Sequence, residues 1–308
     1  MSAGVLILTG PTASGKSMLA LELAERFDAE IVGADSRQIY RGMPVGTAAP
    51  SDEERARVPH HLVGFLEPHE RYSAARFVAD ALAAIDAIHA RGRRAIVAGG
   101  TGFYVRALTG DVALSPAYDA AVRERLAREA RVHPADVLAE WLRALAPERA
   151  AAIAPNDPYR ITRALEIALA QRAGARRDDA AEHLRARGIP FRKLYLDVAP
   201  DELQRRIESR VDAMLANGLL AEAERIGGDA VAADAVGYRE ALAYLAGWST
   251  RDELRAHLIR NTRRYAKRQA TWFRTEPGLV RVPANDAFER AVAAARELGW
   301  AGASSGWA

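Results

Sequence analysis

The segment Gly10-Pro11-Thr12-Ala13-Ser14-Gly15-Lys16-Ser17 constrains this chain most. It fits the pattern GxxxxGK[ST] in full. A continuous apolar run, Val5 to Thr9, precedes it, and an amphipathic stretch from Lys16 to Phe27 follows. A buried parallel strand, a glycine turn and a helix are the context such a loop needs. The glycines let backbone N–H groups converge on phosphate oxygens, and the helix N-terminus adds partial positive charge. Lys16 contributes a full charge, and the Ser17 hydroxyl is the candidate ligand for Mg²⁺. The motif implies a di- or triphosphate but not which one.

The rest of the pattern builds around that unit. Ile31 and Val32 mark a second strand ending at Gly33-Ala34-Asp35, and His61 to Phe65 reads as another extended piece. Ser73 to Arg91 reads as a helix capped by Ser73, with Phe77, Ala81, Ala84, Ile85 and Ile88 in one stripe. Arg94 to Ala98 is a further strand, closed by Gly99-Gly100-Thr101. This alternation predicts an α/β fold, with a P-loop NTPase-like parallel sheet core. Residues 115–190 change character: rich in Ala, Arg and Glu, punctuated by proline, without a convincing strand. The expectation is a helical insertion domain over 115–190, with 1–114 and 191–308 forming the core. A strand returns over Lys193 to Val198, and the chain beyond it reads as helical, ending in a long basic helix from Arg251 to Phe273.

Composition narrows the partners. There is no cysteine, so disulfides and thiolate chemistry are excluded and a reducing, cytoplasmic setting is expected. No run of about 18 apolar residues suggests a membrane helix, and we expect a monomer. Net charge is only +3, but Arg251 to Arg274 holds eight Arg or Lys against two acids, a field suited to nucleic-acid phosphates. Only three of 43 basic residues are lysine. Lys16 has a reason, because a compact ammonium fits inside a phosphate loop; Lys193 has none in the sequence.

Beyond the loop the chain resembles the tRNA dimethylallyltransferase (isopentenyl-tRNA transferase) family. The resemblance is carried by GPTASGKS at 10–17, ADSRQIYRGMPVGTAAP at 34–50, PHHL at 59–62, YSAARF at 72–77, VAGGTGFYVRAL at 97–108, NDPYRITRALE at 156–166, VGYRE at 236–240 and KRQATWFR at 267–274. It implies transfer of a dimethylallyl group from dimethylallyl diphosphate to the N6 amine of adenine-37 in the tRNA anticodon loop. Asp35 would accept the amine hydrogen, although Asp35 alone also reads as an Asx cap of the next turn. Thr101 would bond the diphosphate near the tRNA, unless it only caps the following helix. Arg210 would be a second cation for the leaving group. The resemblance puts Ser36, Arg37, Gln38, Arg123, Tyr159, Arg160, Ile161, Thr162 and Arg163 against tRNA, together with Gly237, Tyr238, Arg239, Lys267, Arg268 and Arg274. The rival readings are a P-loop small-molecule kinase, a prenyltransferase acting on free adenylate, and a nucleotide-gated RNA-binding module.

Overall fold

The computed structural model describes residues 4–114, 120–173 and 182–301. The chain forms two compact units: one runs to Asp111 and resumes at Glu182, and the other, from Val112, lies between them.

The core unit starts with β1 (Val5–Thr9), α1 (Lys16–Phe27), β2 (Ala29–Gly33), α2 (Pro44–Thr47), α3 (Asp52–Arg57), β3 (His60–His61), α4 (Ala74–Ala90), β4 (Arg94–Ala98) and α5 (Gly102–Thr109). The inserted unit is helical, with α6 (Ala120–Val132), α7 (Ala135–Leu145), α8 (Pro147–Ala151) and α9 (Pro158–Arg172). The core resumes with β5 (Phe191–Asp197), α10 (Pro200–Ala216), α11 (Leu219–Ile226), α12 (Tyr238–Leu245), α13 (Arg251–Phe273), β6 (Leu279–Pro283) and α14 (Ala287–Glu297).

The six strands form one sheet in the order β3-β2-β4-β1-β5-β6, with every pairing parallel. β1 lies inside it, and its four apolar residues are fully buried. That explains its unbroken apolar run: a parallel strand covered by helices on both faces has no polar side. α1 and α14 pack over one region of the sheet, where Leu19, Leu23, Phe27, Ala291 and Trp300 join Leu6, Leu8 and Leu194. A separate cluster holds α11, α12 and the start of α13 through Leu219, Tyr238, Leu254 and Leu258. In the inserted unit Leu126, Leu138, Leu142, Ile161 and Leu165 make a core of their own.

Three expectations are corrected. Residues 182–190 belong to the core unit, because the Leu184 N–H donates to the Leu108 carbonyl (2.8 Å) and Leu184 is fully buried. The extended piece expected over His61–Phe65 is a strand only at His60–His61. The chain after 198 also contains a strand, β6, which pairs with β5 from Leu279↔Lys193 to Pro283↔Asp197.

Candidate active site

Strands that run parallel deliver their C-terminal ends to one edge of the sheet, where open α/β folds bind ligands. β1 brings the loop 10–17 to that edge, β2 brings Asp35 and β4 brings Thr101. The loop turns into α1 through Gly15 at φ 90°, a left-handed conformation that glycine adopts without strain. No side chain caps α1 and no acid occupies its first turn. Most helices satisfy these first N–H groups with Ser, Thr or Asp. Here they stay open, and the exposed Ser17 hydroxyl stands beside them.

Lys16 Nζ donates across the loop to the Pro11 carbonyl at 3.2 Å. Burial pulls this ammonium down from the usual lysine range to about pKa 8, an effect that Asp35 opposes and Arg210 reinforces. The three charges therefore share one electrostatic site. Arg210 reaches it from α10, where its Nη2 donates to the Thr47 carbonyl at 3.2 Å. Burial lowers the guanidinium's pKa and the charge of Asp35 holds it up, so it stays a cation.

Asp35 performs the local role open to it from sequence: its Oδ1 accepts from the Arg37 N–H at 2.9 Å. It also lines a cavity of about 170 Å³ shared with Thr12, Arg37, Thr47, Arg210, Arg239, Tyr265 and Arg268. Thr101 stands at the N-terminus of α5 but gives that helix no side-chain cap. Its Oγ1 accepts from the Ser36 N–H at 2.9 Å and donates to Ser36 Oγ at 3.3 Å, tying the end of β4 to the turn after Asp35. Arg37 is anchored to Asp234 at 2.6 Å, and Gln38 Nε2 donates to the carbonyls of Thr47 (3.2 Å) and Ala48 (2.9 Å).

The long basic helix α13 crosses this edge. Tyr265 and Arg268 line the Asp35 cavity, and the Arg268 guanidinium lies 5.6 Å from the Tyr265 ring centre. Lys267, on a different face, lines a separate groove of about 690 Å³ between α10 and α13 with Arg260, Arg263 and Arg264. Arg274 is exposed at the end of the helix, and Phe273 is buried. Gln269, not singled out from sequence, accepts from the Thr12 N–H at 2.8 Å and donates to the Gly100 carbonyl at 3.0 Å.

Three residues expected at RNA are interior ones. Tyr238 has no exposed surface, because its hydroxyl donates to Glu222 at 2.6 Å and its ring fills the cluster under α12. Ile161 is 1% exposed inside the core of the inserted unit. Gly237 is likewise buried, its N–H bonded to Glu240 at 2.7 Å, whereas Arg239 beside it is exposed. Within the inserted unit, Tyr159 is 75% exposed and Arg160 is exposed with it at the start of α9. Asp157 caps that helix by accepting from the Arg160 N–H at 3.0 Å, and the Thr162 hydroxyl donates to the Pro158 carbonyl at 2.7 Å. Arg123 and Arg163 converge on the buried Glu166, at 3.4 and 2.8 Å.

The fold is that of the P-loop NTPase-like α/β proteins. The IPP transferase family model matches residues 38–276, and the chain belongs to that family. It is 44% identical over 290 residues to the tRNA dimethylallyltransferase of Geobacter sulfurreducens, covering 91% of this chain and 93% of that one. It is 47% identical over 283 residues to the tRNA dimethylallyltransferase of Anaeromyxobacter dehalogenans, covering 90% and 93%. The crystal structure of the full-length tRNA isopentenylpyrophosphate transferase of Bacillus halodurans superposes with a TM-score of 0.68 at 33% identity, over 96% of this chain and 98% of that one. A eukaryotic dimethylallyltransferase acting on tRNA shares the fold, with a TM-score of 0.78 at 24% identity over 99% and 82%.

Proposed function

We propose that this protein is a tRNA dimethylallyltransferase, moving a dimethylallyl group from dimethylallyl diphosphate onto the N6 amine of adenine-37 in the tRNA anticodon loop. The observation that carries this reading is the cavity at the sheet edge that Thr12 of the loop, Asp35 and Arg210 line together, with Lys16 close enough to feel both charges. A carboxylate beside two cations suits a reaction that removes a proton from one partner and releases an anion from the other.

In the proposed reaction the C1–O bond of the donor breaks and its electron pair leaves with diphosphate. The N6 lone pair forms the new bond to C1, and the N6 proton passes to the Asp35 carboxylate. N6 is a weak nucleophile because its lone pair is delocalised into the ring; hydrogen bonding to Asp35 localises that pair. Backbone amides of the loop and the charges of Lys16 and Arg210 would stabilise the leaving group as its charge grows. Thr101 holds the turn bearing Asp35 through Ser36. Among the described residues no group of three or more His, Asp or Glu could cage a metal. Mg²⁺ takes one or two protein ligands plus phosphates and water; the Ser17 hydroxyl would hold it and the ion would neutralise phosphate charge.

For the RNA, the exposed Arg239, Arg268, Lys267 and Arg274 of the core and Tyr159 and Arg160 of the inserted unit supply phosphate contacts and a stacking face. Arg123 and Arg163 could serve there also, held in place by Glu166. No helix among the described residues is long and apolar enough to cross a membrane.

The test is label transfer from radiolabelled dimethylallyl diphosphate with Mg²⁺ to unmodified tRNA, to AMP and to no acceptor. Label in tRNA alone supports the reading. Label in AMP moves the chain to free-nucleotide prenylation, and label in neither refutes prenyl transfer.

A further inference from the structure

A buried carboxylate lies behind the wall of the Asp35 cavity. Glu222, on α11, is 4% exposed. Its carboxylate accepts from the Val45 N–H at 3.0 Å, the Gly46 N–H at 2.8 Å and the Tyr238 hydroxyl at 2.6 Å. Both amides belong to α2, a single turn that opens on Pro44 and receives no side-chain cap from Met43 before it. Glu222 supplies that cap from 176 and 177 positions away. The Tyr238 ring backs the same turn: a β-carbon on Gly46 would stand 2.5 Å from its ring carbons, so only glycine lets the two approach. The Thr47 hydroxyl ties the turn to itself by donating to the Met43 carbonyl at 2.6 Å.

The other end of α2 is the Thr47 carbonyl. It accepts from Arg210 Nη2 and from Gln38 Nε2, both at 3.2 Å. Among the described residues this carbonyl is the only hydrogen-bond partner of Arg210. Gly46, Thr47, Arg210 and Asp35 line one cavity. An arginine side chain has wide rotamer freedom, so the place of its charge depends on the one acceptor that anchors it. The chain of contacts runs from the Glu222 carboxylate through two amides to the Thr47 carbonyl, and from there to the Arg210 guanidinium.

We propose that Glu222 is a positioning residue for the transfer reaction, fixing α2 so that the Thr47 carbonyl aims Arg210 at the leaving diphosphate. The inference rests on the reading of Arg210 as a cation for that group. Tyr238 is part of the same device, which gives the tyrosine of VGYRE a task inside the fold. Glu222→Gln keeps the side-chain length but sets an NH₂ group where an N–H needs an acceptor.

The test is calorimetric titration of four full-length proteins with inorganic diphosphate and Mg²⁺: the wild type, Glu222→Gln, Arg210→Ala and the double variant. Glu222→Gln should bind about tenfold more weakly than the wild type, the scale of one charge-assisted hydrogen bond. Arg210→Ala should also weaken binding, and adding Glu222→Gln to it should cost nothing more. A merely structural role would cost the same factor in both backgrounds, and that result overturns the inference. So does wild-type affinity in Glu222→Gln beside a weakened Arg210→Ala, which refutes the role of Glu222 alone. Unchanged affinity in Arg210→Ala refutes the reading of Arg210 and the inference with it. Tyr238→Phe, which keeps the ring and removes the hydroxyl, takes the place of Glu222→Gln in the cycle if that variant fails to fold, with the same loss erased by Arg210→Ala. Label transfer by the wild type decides the proposed function separately.

Discussion

Trp272 lies directly over Gly102: a β-carbon on the glycine would stand 2.0 Å from indole Cδ1. The Arg106 guanidinium lies over the face of the indole, 4.6 Å from the ring centre, and Phe103 meets it edge to face at 6.2 Å. α13 is thus seated on the first residue of α5, one turn along from the contact of Gln269 with Gly100. Gly102→Ala would drive α13 off this seat, and we expect a loss of about 1–3 kcal/mol, the usual cost of overpacking. Gly228→Ala, where no atom lies within 4 Å, is the control and should change stability by less than about 0.5 kcal/mol. Equal denaturant midpoints for the two variants would contradict this.

Asp35→Asn keeps an oxygen for the Arg37 N–H and so keeps the turn. It removes the proton acceptor. Single-turnover transfer should fall by about 10²–10⁴, the range for loss of a general base, with tRNA affinity unchanged in a filter-binding assay. Near-normal transfer would remove Asp35 from the role proposed for it.

Lys16 carries a pH signature. Its pKa in the fold, about 8, lies below the ordinary lysine value of 10.5. The unfolded chain therefore binds more protons between these values, and this group's contribution to stability improves as pH rises from about 8 to 10.5. An anionic diphosphate reverses the effect by favouring the ammonium. Binding of dimethylallyl diphosphate at pH 9 should take up a proton, seen as a dependence of titration enthalpy on buffer ionisation heat. No such dependence would mean that Lys16 does not meet the diphosphate.

Glu30 gives a slope of the same sign in the acid range. It is 2% exposed on β2 and is bonded by Arg91 and His61, both at 2.6 Å. Burial alone would raise its pKa, but those bonds outweigh it and hold the carboxyl at about 2, below the usual 4.5. The folded state is then stabilised by about 3 kcal/mol above pH 4.5, and this is lost as pH falls toward 2. Glu30→Gln should flatten the acid limb of a stability-against-pH curve; an unaltered limb would show that other carboxylates control it.

Lys193 is buried on β5, bonded to Glu276 at 2.6 Å and to Asp111 at 2.8 Å. Glu276 also pairs with Arg106 at 2.8 Å, and Asp111 with Arg185 at 2.8 Å. Lys193→Met should cost about 3–5 kcal/mol, because it strands two carboxylates that the remaining arginines only partly balance. A loss below about 1 kcal/mol in urea would show that the arginines suffice.

The sequence made legible what depends on short spacing. β1, the loop, α1, the Ser73 cap and the limits of α13 follow from periodicity and from turn chemistry within a few residues. Long-range pairings left no such mark. Gln269 meets Thr12 across 257 positions, and a neutral amide in a basic stretch carries no charge signal. Lys193 stood out by its rarity, but its partners lie 82 and 83 residues away. β6 escaped because it is a five-residue edge strand, mostly exposed and closed by Pro283. Tyr238 was expected at tRNA through the resemblance of VGYRE, and only the fold shows its ring packed into the interior and its hydroxyl donating to Glu222.

The two stems of the inserted unit are fastened within the core. Leu184 returns a backbone bond to Leu108, and Arg185 meets Asp111, so the chain leaves and comes back at neighbouring points. β1 must nevertheless pair with β5, whose first residue, Phe191, lies opposite Val5. Seventy residues between Asp111 and Glu182 stand in the way of that pairing. Closing a flexible loop of that length costs about 4 kcal/mol from the length-dependent term. A helical unit with its own core shortens the effective tether, so folding of that unit would lower the cost of bringing β5 to β1.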